Sequence, residues 1–292
     1  MRKLIDVSSY NGTVSWEKAK AYGCQGAILK IIRKDLKIDN GFNRNYQACN
    51  ENEIAWGVYN YSYATTAAKA KSDMKLVCDI LDKIDKEHFE YGIWFDLEDK
   101  VQASLSKAKI AEIINAAQEV VESRGYVFGV YTGKSYYEEH IDRKQIKCQN
   151  WWIARYYQGD KRMQIATNPN QEKKPAAANI AWQYTSSGRF PKVISTGNSG
   201  NFDLNVLYKE PVAKKVEDTK KTPAKTKTVY YPKCKGEFNS IVDALDSLKI
   251  DSSKSNRKKI AVQNGIKNYS GTAVQNTRLL NLLKKGKLVK SK

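Results

Sequence analysis

The feature that most constrains the fold is an alternation of short apolar runs with longer amphipathic stretches along the first 208 residues. Eight runs rich in β-branched and aromatic residues have the length of strands, at 4–8, 26–32, 55–63, 91–98, 127–131, 151–156, 180–184 and 201–206. Two intervening stretches, 69–84 and 106–123, carry apolar residues at helical spacing. Strands with interleaved helices predict an α/β fold, a TIM-like (β/α) barrel. The barrel should be irregular, because its later half has fewer helical stretches.

A second region follows a clear change of composition. Residues 209–229 are rich in Lys, Thr and Pro and have almost no large apolar side chain, which predicts an extended linker. Residues 230–292 predict a small all-α domain of three short helices, two of which begin at the capping-box patterns of Ser240 and Thr272. The predicted division is therefore a barrel domain at 1–208, the linker, and a helical domain at 230–292.

The positive charge of the chain is concentrated in this second region. The whole chain has a formal net charge of +19, and residues 211–292 hold 20 Lys and Arg against 6 Asp and Glu, a net of +14. A surface of this kind favours a polyanionic partner, such as nucleic acid, teichoic acid or an anionic cell wall.

Several classes of protein are disfavoured by what the sequence lacks. The N-terminal MRKLIDVSSYNG has no apolar stretch of the kind that a signal peptide needs, and no apolar run is long enough to cross a bilayer, so we expect cytoplasmic synthesis and no membrane. The five cysteines are dispersed, without CxxC spacing, and the two histidines are far apart. We therefore expect neither a disulfide framework nor a zinc site, and no metal or other cofactor.

Four acidic residues are placed where a barrel puts its reacting groups. Asp6, Asp96, Glu98 and Asp203 each fall at a predicted strand end, and active sites of such barrels lie at the carboxyl ends of the strands. Mutual repulsion and apolar neighbours such as Trp94 should raise the pKa of at least one of them. A neutral carboxylic acid beside ionised ones is the arrangement that glycosidic cleavage requires.

Two other interpretations of these acids remain open from the residues alone. The Asp96–Glu98 pair could simply cap helices or form salt bridges, since such a pair is short and common. Clustered carboxylates could also bind Mg²⁺, because hard cations prefer oxygen ligands.

Seven short motifs, in order, carry a resemblance to a known family. They are DVSSYNG at 6–12, GVYNYSYA at 57–64, FDLE at 95–98, GVYTG at 129–133, WIARY at 152–156, AWQYT at 181–185 and DLN at 203–205. Together they resemble the family 25 glycoside hydrolases, the lysozymes common among bacteriophage endolysins, over about residues 3–208.

The resemblance implies a muramidase that hydrolyses the β-1,4 bond from N-acetylmuramic acid to N-acetylglucosamine in peptidoglycan. Glu98 matches the general acid of the family, Asp96 its neighbour in the motif, and Asp6 and Asp203 the flanking acids. Candidate substrate-binding residues in the same motifs are Tyr61, Tyr63, Tyr131, Trp152, Tyr156, Gln183 and Tyr184. An endolysin would wait in the host bacterial cytoplasm until its release and then act on the wall.

The segment from Tyr230 onward resembles a cell-wall-binding module of phage endolysins. Its charge agrees with an anionic Gram-positive wall as the partner. Two alternatives are a basic helical domain that binds nucleic acid, which we do not expect because no recognition helix is evident, and a catalytically inactive wall binder, against which the complete set of four acids argues.

Overall fold

The computed structural model describes residues 1–157, 159, 161–190, 200–212, 229–266 and 269–291. The chain separates into two compact units, Met1–Lys215 and Val216–Lys292. Most of the predicted linker at 209–229 lies outside the described residues. No helix among the described residues is long and apolar enough to cross a membrane.

The first unit is a closed eight-stranded barrel, which confirms the predicted fold class. Its strands follow one another around the barrel in chain order. They are β1 (Arg2–Val7), β2 (Gly26–Lys30), β3 (Trp56–Tyr61), β4 (Phe89–Asp96), β5 (Phe128–Gly133), β6 (Trp151–Ala154), β7 (Ala181–Arg189) and β8 (Asn201–Leu207).

The last strand makes the barrel irregular in a way that the sequence did not predict. Strands β1 to β7 pair in parallel, whereas β8 runs antiparallel to both β7 and β1. A parallel neighbour needs a long crossover connection, usually a helix, but an antiparallel neighbour does not. The short stretch between β7 and β8 is therefore sufficient to close the barrel.

Among its described residues, the first unit has six helices, which lie in the connections between strands. They are α1 (Trp16–Ala21), α2 (Phe42–Glu51), α3 (Ala67–Leu81), α4 (Lys100–Ala103), α5 (Lys107–Ser123) and α6 (Lys134–His140). The two helices predicted from periodicity are α3 and α5. Ser106 caps α5 by accepting a hydrogen bond from the Lys109 amide at 3.2 Å, and Gly125 follows the helix with φ +77°.

The barrel has two layers of core. The outer layer lies between the sheet and the helices, and the inner layer fills the barrel with Leu4, Ile28, Trp94, Tyr131 and Trp152. Gly129 makes room for the indole of Trp94, into which an added Cβ would collide. Successive residues of each strand alternate between these two layers, as the pleat of a strand requires.

The described residues of the second unit form three helices, as predicted. They are α7 (Ile241–Ser247), α8 (Lys254–Gln263) and α9 (Ala273–Lys284). Ser240 caps α7, and Thr272 forms a complete capping box with Gln275 at the start of α9. A small core of Ile241, Ala244, Leu245, Ile260, Leu279, Leu280 and Leu283 joins the helices.

Candidate active site

The carboxyl ends of the parallel strands bring the predicted acids to one end of the barrel. Asp6 lies near the end of β1, Asp96 ends β4, and Glu98 comes two residues after β4. Asp203 was expected to close the last strand, and that placement was wrong, because it is the third residue of β8. It reaches the same end of the barrel because β8 runs antiparallel, where it stands directly opposite Asp6.

Asp6 is held by two side-chain amides. Its Oδ2 accepts hydrogen bonds from Gln183 Nε2 at 2.9 Å and from Asn205 Nδ2 at 2.8 Å. All three side chains are buried. The carboxyl group of Asp6 therefore has a fixed position and a hydrogen-bonding environment that favours its ionised form.

Three aromatic residues orient these amides in turn. Tyr131 and Tyr156 both donate their hydroxyl hydrogens to Gln183 Oε1, at 2.8 and 2.7 Å. Trp152 Nε1 donates to Asn205 Oδ1 at 2.9 Å. Because each amide oxygen is occupied by a donor, each amide nitrogen must point to Asp6.

Of the pair Asp6 and Asp203, Asp203 is the residue that holds a proton at neutral pH. Burial, the negative charge of Asp6 and a hydrogen bond to Asp6 raise the pKa of Asp203 to about 9. Burial also raises the pKa of Asp6, but its hydrogen bonds from Asn205, Gln183 and Asp203 oppose that shift. The carboxyl that accepts these hydrogen bonds is the better anion, so the pair at neutral pH is a protonated Asp203 that donates to an ionised Asp6.

Glu98 is more exposed to solvent than the other three acids, of which Asp203 is half-buried. Its side chain is exposed, whereas Asp6 and Asp96 are buried. Partial desolvation of the carboxyl group, together with the charges of Asp6 and Asp99, raises the pKa of Glu98 to about 6. Glu98 is therefore an accessible carboxylic acid that holds a proton in mildly acidic solution, as a proton donor must.

Asp96 lies in the most unfavourable surroundings for a charge. Burial and the charges of Glu98 and Asp6 raise its pKa well above the usual value, and Lys30 partly offsets this shift. Within the described part of the chain, Asp96 Oδ1 has no hydrogen-bond partner. Among the described residues, no group of three or more acidic, His or Cys side chains is placed to hold a metal ion.

Tyr61 and Tyr63 form one side of the site. Their ring centroids are 5.1 Å apart, and the Tyr61 hydroxyl donates to Asp99 Oδ2 at 3.2 Å. On the opposite side, Tyr156 is 48% exposed and Tyr131 lies beneath it.

The structure does not bring Tyr184 to this group, although the sequence suggested it as a substrate contact. Tyr184 follows Gln183 on β7, so its side chain points to the other face of the sheet. It is fully buried in the outer core and packs against Trp182. Trp152 is also buried, and it acts on the site through Asn205 rather than at its surface.

Asn205, Asp99 and Lys30 lie near the acids but were not among the predicted site residues. Asn205 holds Asp6, and Asp99 receives the Tyr61 hydroxyl. Asn205 could have been found from its spacing, since it lies two residues after Asp203 and so on the same face of the strand.

A barrel with buried and exposed carboxyl groups gathered at the carboxyl ends of its strands has the arrangement of acids that glycosidases use. A family model described as glycosyl hydrolases family 25 matches residues 5–193. The chain belongs to this family and is a glycoside hydrolase.

Similar proteins cover different parts of the chain. The uncharacterized protein YegX of Escherichia coli O157:H7 is 23% identical over 227 residues, which is 75% of each chain. The L-alanyl-D-glutamate peptidase of Listeria phage A118 is 50% identical over 72 residues, which is 24% of this chain and 26% of the peptidase. The structure of the modular autolysin LytC from Streptococcus pneumoniae has a TM-score of 0.56 and 25% identity over 71% of this chain. This chain spans about half of that autolysin, since the match covers 46% of its length.

Proposed function

We propose that the protein is a peptidoglycan muramidase that hydrolyses the β-1,4 bond from N-acetylmuramic acid to N-acetylglucosamine. The observation that carries this proposal is the contrast between Glu98, an exposed acid with a pKa of about 6, and Asp6, a buried carboxylate fixed by two amides. One group has a proton to give, and the other supplies a fixed negative charge. The likeness to the structure of the autolysin LytC in complex with a synthetic peptidoglycan ligand supports peptidoglycan as the substrate.

Glu98 acts as the general acid. It donates its proton to the glycosidic oxygen, and the sugar on the other side of the breaking bond develops positive charge at its anomeric carbon. The negative charge of Asp6 stabilises that positive charge, and the same charge keeps the proton on Glu98 before the reaction. Water, or the 2-acetamido group of the substrate, then attacks the anomeric carbon, with Asp96 beside it.

Asp203 serves this mechanism by holding Asp6 in place. Because Asp203 remains protonated at neutral pH, it donates a hydrogen bond to Asp6 instead of repelling it. Asp6 thus stays a single anion in an ordered position, which is what preorganised electrostatic stabilisation requires.

The second unit is proposed to bind the anionic wall of Gram-positive bacteria. Residues 211–292 have a net charge of +14. The 72-residue similarity to a phage peptidase is about the length of this unit, and a peptidase and a glycosidase share no chemistry that would account for it. A shared module for holding the wall accounts for both observations. Tethering such a module to the barrel raises the local concentration of the enzyme at its substrate.

These roles place the action of the protein at the cell wall. We propose that it is made in the cytoplasm of a bacterial host and reaches the peptidoglycan on release, in agreement with an endolysin.

The central experiment identifies the new reducing ends that the enzyme creates. Peptidoglycan is digested, reduced with borohydride and analysed by mass spectrometry. Reduced muramic acid is the expected product, and it should be absent with Glu98→Gln and unchanged with Glu112→Gln, an exposed acid on α5. Reduced glucosamine would move the cleaved bond, and the absence of any new reducing end would refute a glycosidase.

The pH dependence of turnover gives a second test of Glu98. The fraction of Glu98 that holds its proton falls tenfold for each pH unit above its pKa of about 6. The rate should therefore decline above about pH 6. A rate that stays constant to pH 8 would exclude Glu98 as the general acid.

The wall-binding role is tested with the full-length Glu98→Gln protein, which does not digest its target. Charge reversal of Lys258 and Lys259, two exposed neighbours on α8, should weaken binding to purified walls. Reversal of Lys18 and Lys20 on α1 makes the same change of charge and should not. Equal losses in both variants would contradict a specific surface, and tighter binding to duplex DNA than to walls would favour the nucleic-acid alternative.

A further inference from the structure

A strip of paired lysine and tyrosine side chains leads away from the acids along the ends of β2 and β3. Lys30 Nζ lies 5.8 Å from the centre of the Tyr61 ring, and Lys34 Nζ lies 4.6 Å from the centre of the Tyr63 ring. The two tyrosines are in contact, at 5.1 Å between their centroids. We call these four residues the lysine–tyrosine strip.

The strip joins the site directly. The Tyr61 hydroxyl donates to Asp99, and its pKa is raised by burial and by the charges of Glu98, Asp99 and Asp96. Lys30 points into the barrel rim, because it lies two residues after Ile28, which fills the inner core. Lys34 is further out and exposed to solvent.

The two lysines of the strip differ from the other cations of the same loop. Arg33 forms an ion pair with Asp35 at 2.6 Å, and Lys37 lies 3.8 Å from the same carboxylate. Within the described residues, neither Lys30 nor Lys34 forms an ion pair with a carboxylate at salt-bridge distance. Lys34 therefore presents an uncompensated ammonium group beside an aromatic face.

The charge of the site explains why a cation there is useful. The acids around Glu98 repel any anionic group of a substrate, and they are partly desolvated, so the repulsion is stronger than in water. In peptidoglycan, muramic acid carries a peptide with free carboxylates. A substrate with those carboxylates must therefore be oriented so that they lie away from the acids and near a positive charge.

We propose that Lys34, resting on Tyr63, binds a carboxylate of the peptide attached to the glycan and thereby makes the enzyme prefer peptide-bearing strands to bare ones. This inference rests on the proposed muramidase function. The aromatic face of Tyr63 restricts the lysine side chain, so the ammonium group is held over the Tyr63 ring before substrate arrives. Lys30 lies closer to Asp96 and compensates charge within the site, so Lys34 is the residue available to the substrate.

The experiment compares two soluble glycan substrates of equal length, one with its peptides and one from which an amidase has removed them. Wild-type enzyme should have the higher kcat/KM on the peptide-bearing substrate. Lys34→Met should lower that value about fivefold, the upper range for one exposed charge pair, and should leave the bare glycan unaffected. Lys34→Arg should retain the preference, and ionic strength near 1 M should remove it from the wild type.

Lys37→Met is the matched control, because Lys37 is on the same loop but its charge is shared with Asp35. Its kinetics should equal those of the wild type on both substrates. If Lys34→Met weakens cleavage of both substrates equally, Lys34 supports the fold of the groove and the proposal is wrong.

Three further outcomes separate this proposal from its alternatives. If a glycerol phosphate oligomer inhibits the wild type but not Lys34→Met, and the peptide has no effect on kcat/KM, the anion is a wall phosphate and the peptide proposal is refuted. If the wild type cleaves neither substrate, the muramidase function itself fails. Cleavage of both at equal rates would leave the function intact and overturn only the role of Lys34.

Discussion

The proton that Asp203 holds beside Asp6 leads to a prediction about stability that does not depend on catalysis. Asp203 has a pKa of about 9 in the folded protein, because its carboxyl group is largely desolvated and faces the charge of Asp6. In the unfolded chain an aspartate has a pKa near ~4. Between about pH 5 and 8, the folded protein therefore holds a proton that the unfolded chain has released.

The sign and size of the effect follow from this one proton. When the folded state binds one more proton than the unfolded state, the free energy of unfolding falls by about 1.4 kcal/mol for each unit of rising pH. Asp203→Asn keeps a donor toward Asp6 but cannot titrate. The free energy of unfolding of the variant, relative to the wild type, should therefore rise by about 1.4 kcal/mol per pH unit, or about 4 kcal/mol from pH 5 to pH 8.

The assay is urea unfolding followed by tryptophan fluorescence. All six tryptophans lie in the barrel unit, at positions 16, 56, 94, 151, 152 and 182, so the signal reports on that unit alone. Asp96 and Glu98 also contribute to the pH dependence, but their effect is common to both proteins and cancels in the difference. Glu51→Gln, at an exposed position on α2, should change nothing. Parallel pH profiles for wild type and Asp203→Asn would show that the pair retains no proton and would refute the reasoning.

Four further substitutions test separate parts of the structure. Asn205→Leu removes one amide from Asp6 and the acceptor of Trp152, so steady-state kinetics should show kcat lowered about tenfold to a hundredfold with KM nearly unchanged. Lys30→Met removes the cation that lowers the pKa of Asp96, so the limb of the pH–rate profile that Asp96 governs should move to higher pH. Gly129→Ala drives a methyl group into Trp94 and should lower the free energy of unfolding in urea by about 1–3 kcal/mol. Ser106→Ala removes the cap of α5 and should lower it by about 1 kcal/mol in the same assay.

Local sequence patterns were enough to predict the strands and two of the helices, but not the position of every residue in the site. The eight strands and the helices α3 and α5 were predicted because apolar spacing and end residues are local properties of the chain. The direction of β8 was not predicted, since an antiparallel strand has the same pattern as a parallel one. For the same reason Asp203 was expected at the C-terminal end of its strand, whereas it lies near the N-terminal end. Its proximity to Asp6 was expected.

The role of single residues depended on which face of a strand they occupy. Gln183 and Tyr184 were both suggested by one motif, but adjacent residues of a strand point to opposite faces and only Gln183 faces the acids. The partners of Gln183 come from β5, β1 and the loop after β6, and contacts at such separations leave no trace in one sequence. Asn205 was overlooked because an amide that holds a catalytic carboxylate resembles any other buried polar residue until its hydrogen bonds are known.

The register that closes the barrel also assembles the site. Asp6 on β1 lies opposite Asp203 on β8, and Leu4 lies opposite Asn205. Asp203 and Asn205 face inward together because they are two residues apart, while Leu204 between them faces the outer core. A slip of one residue in this pairing would turn both polar side chains outward and Leu204 toward Asp6. The buried charge of Asp6 would then lose its Asn205 and Asp203 donors, and Leu204 would leave the outer core. The packing of the barrel and the geometry of the acids therefore favour the same register.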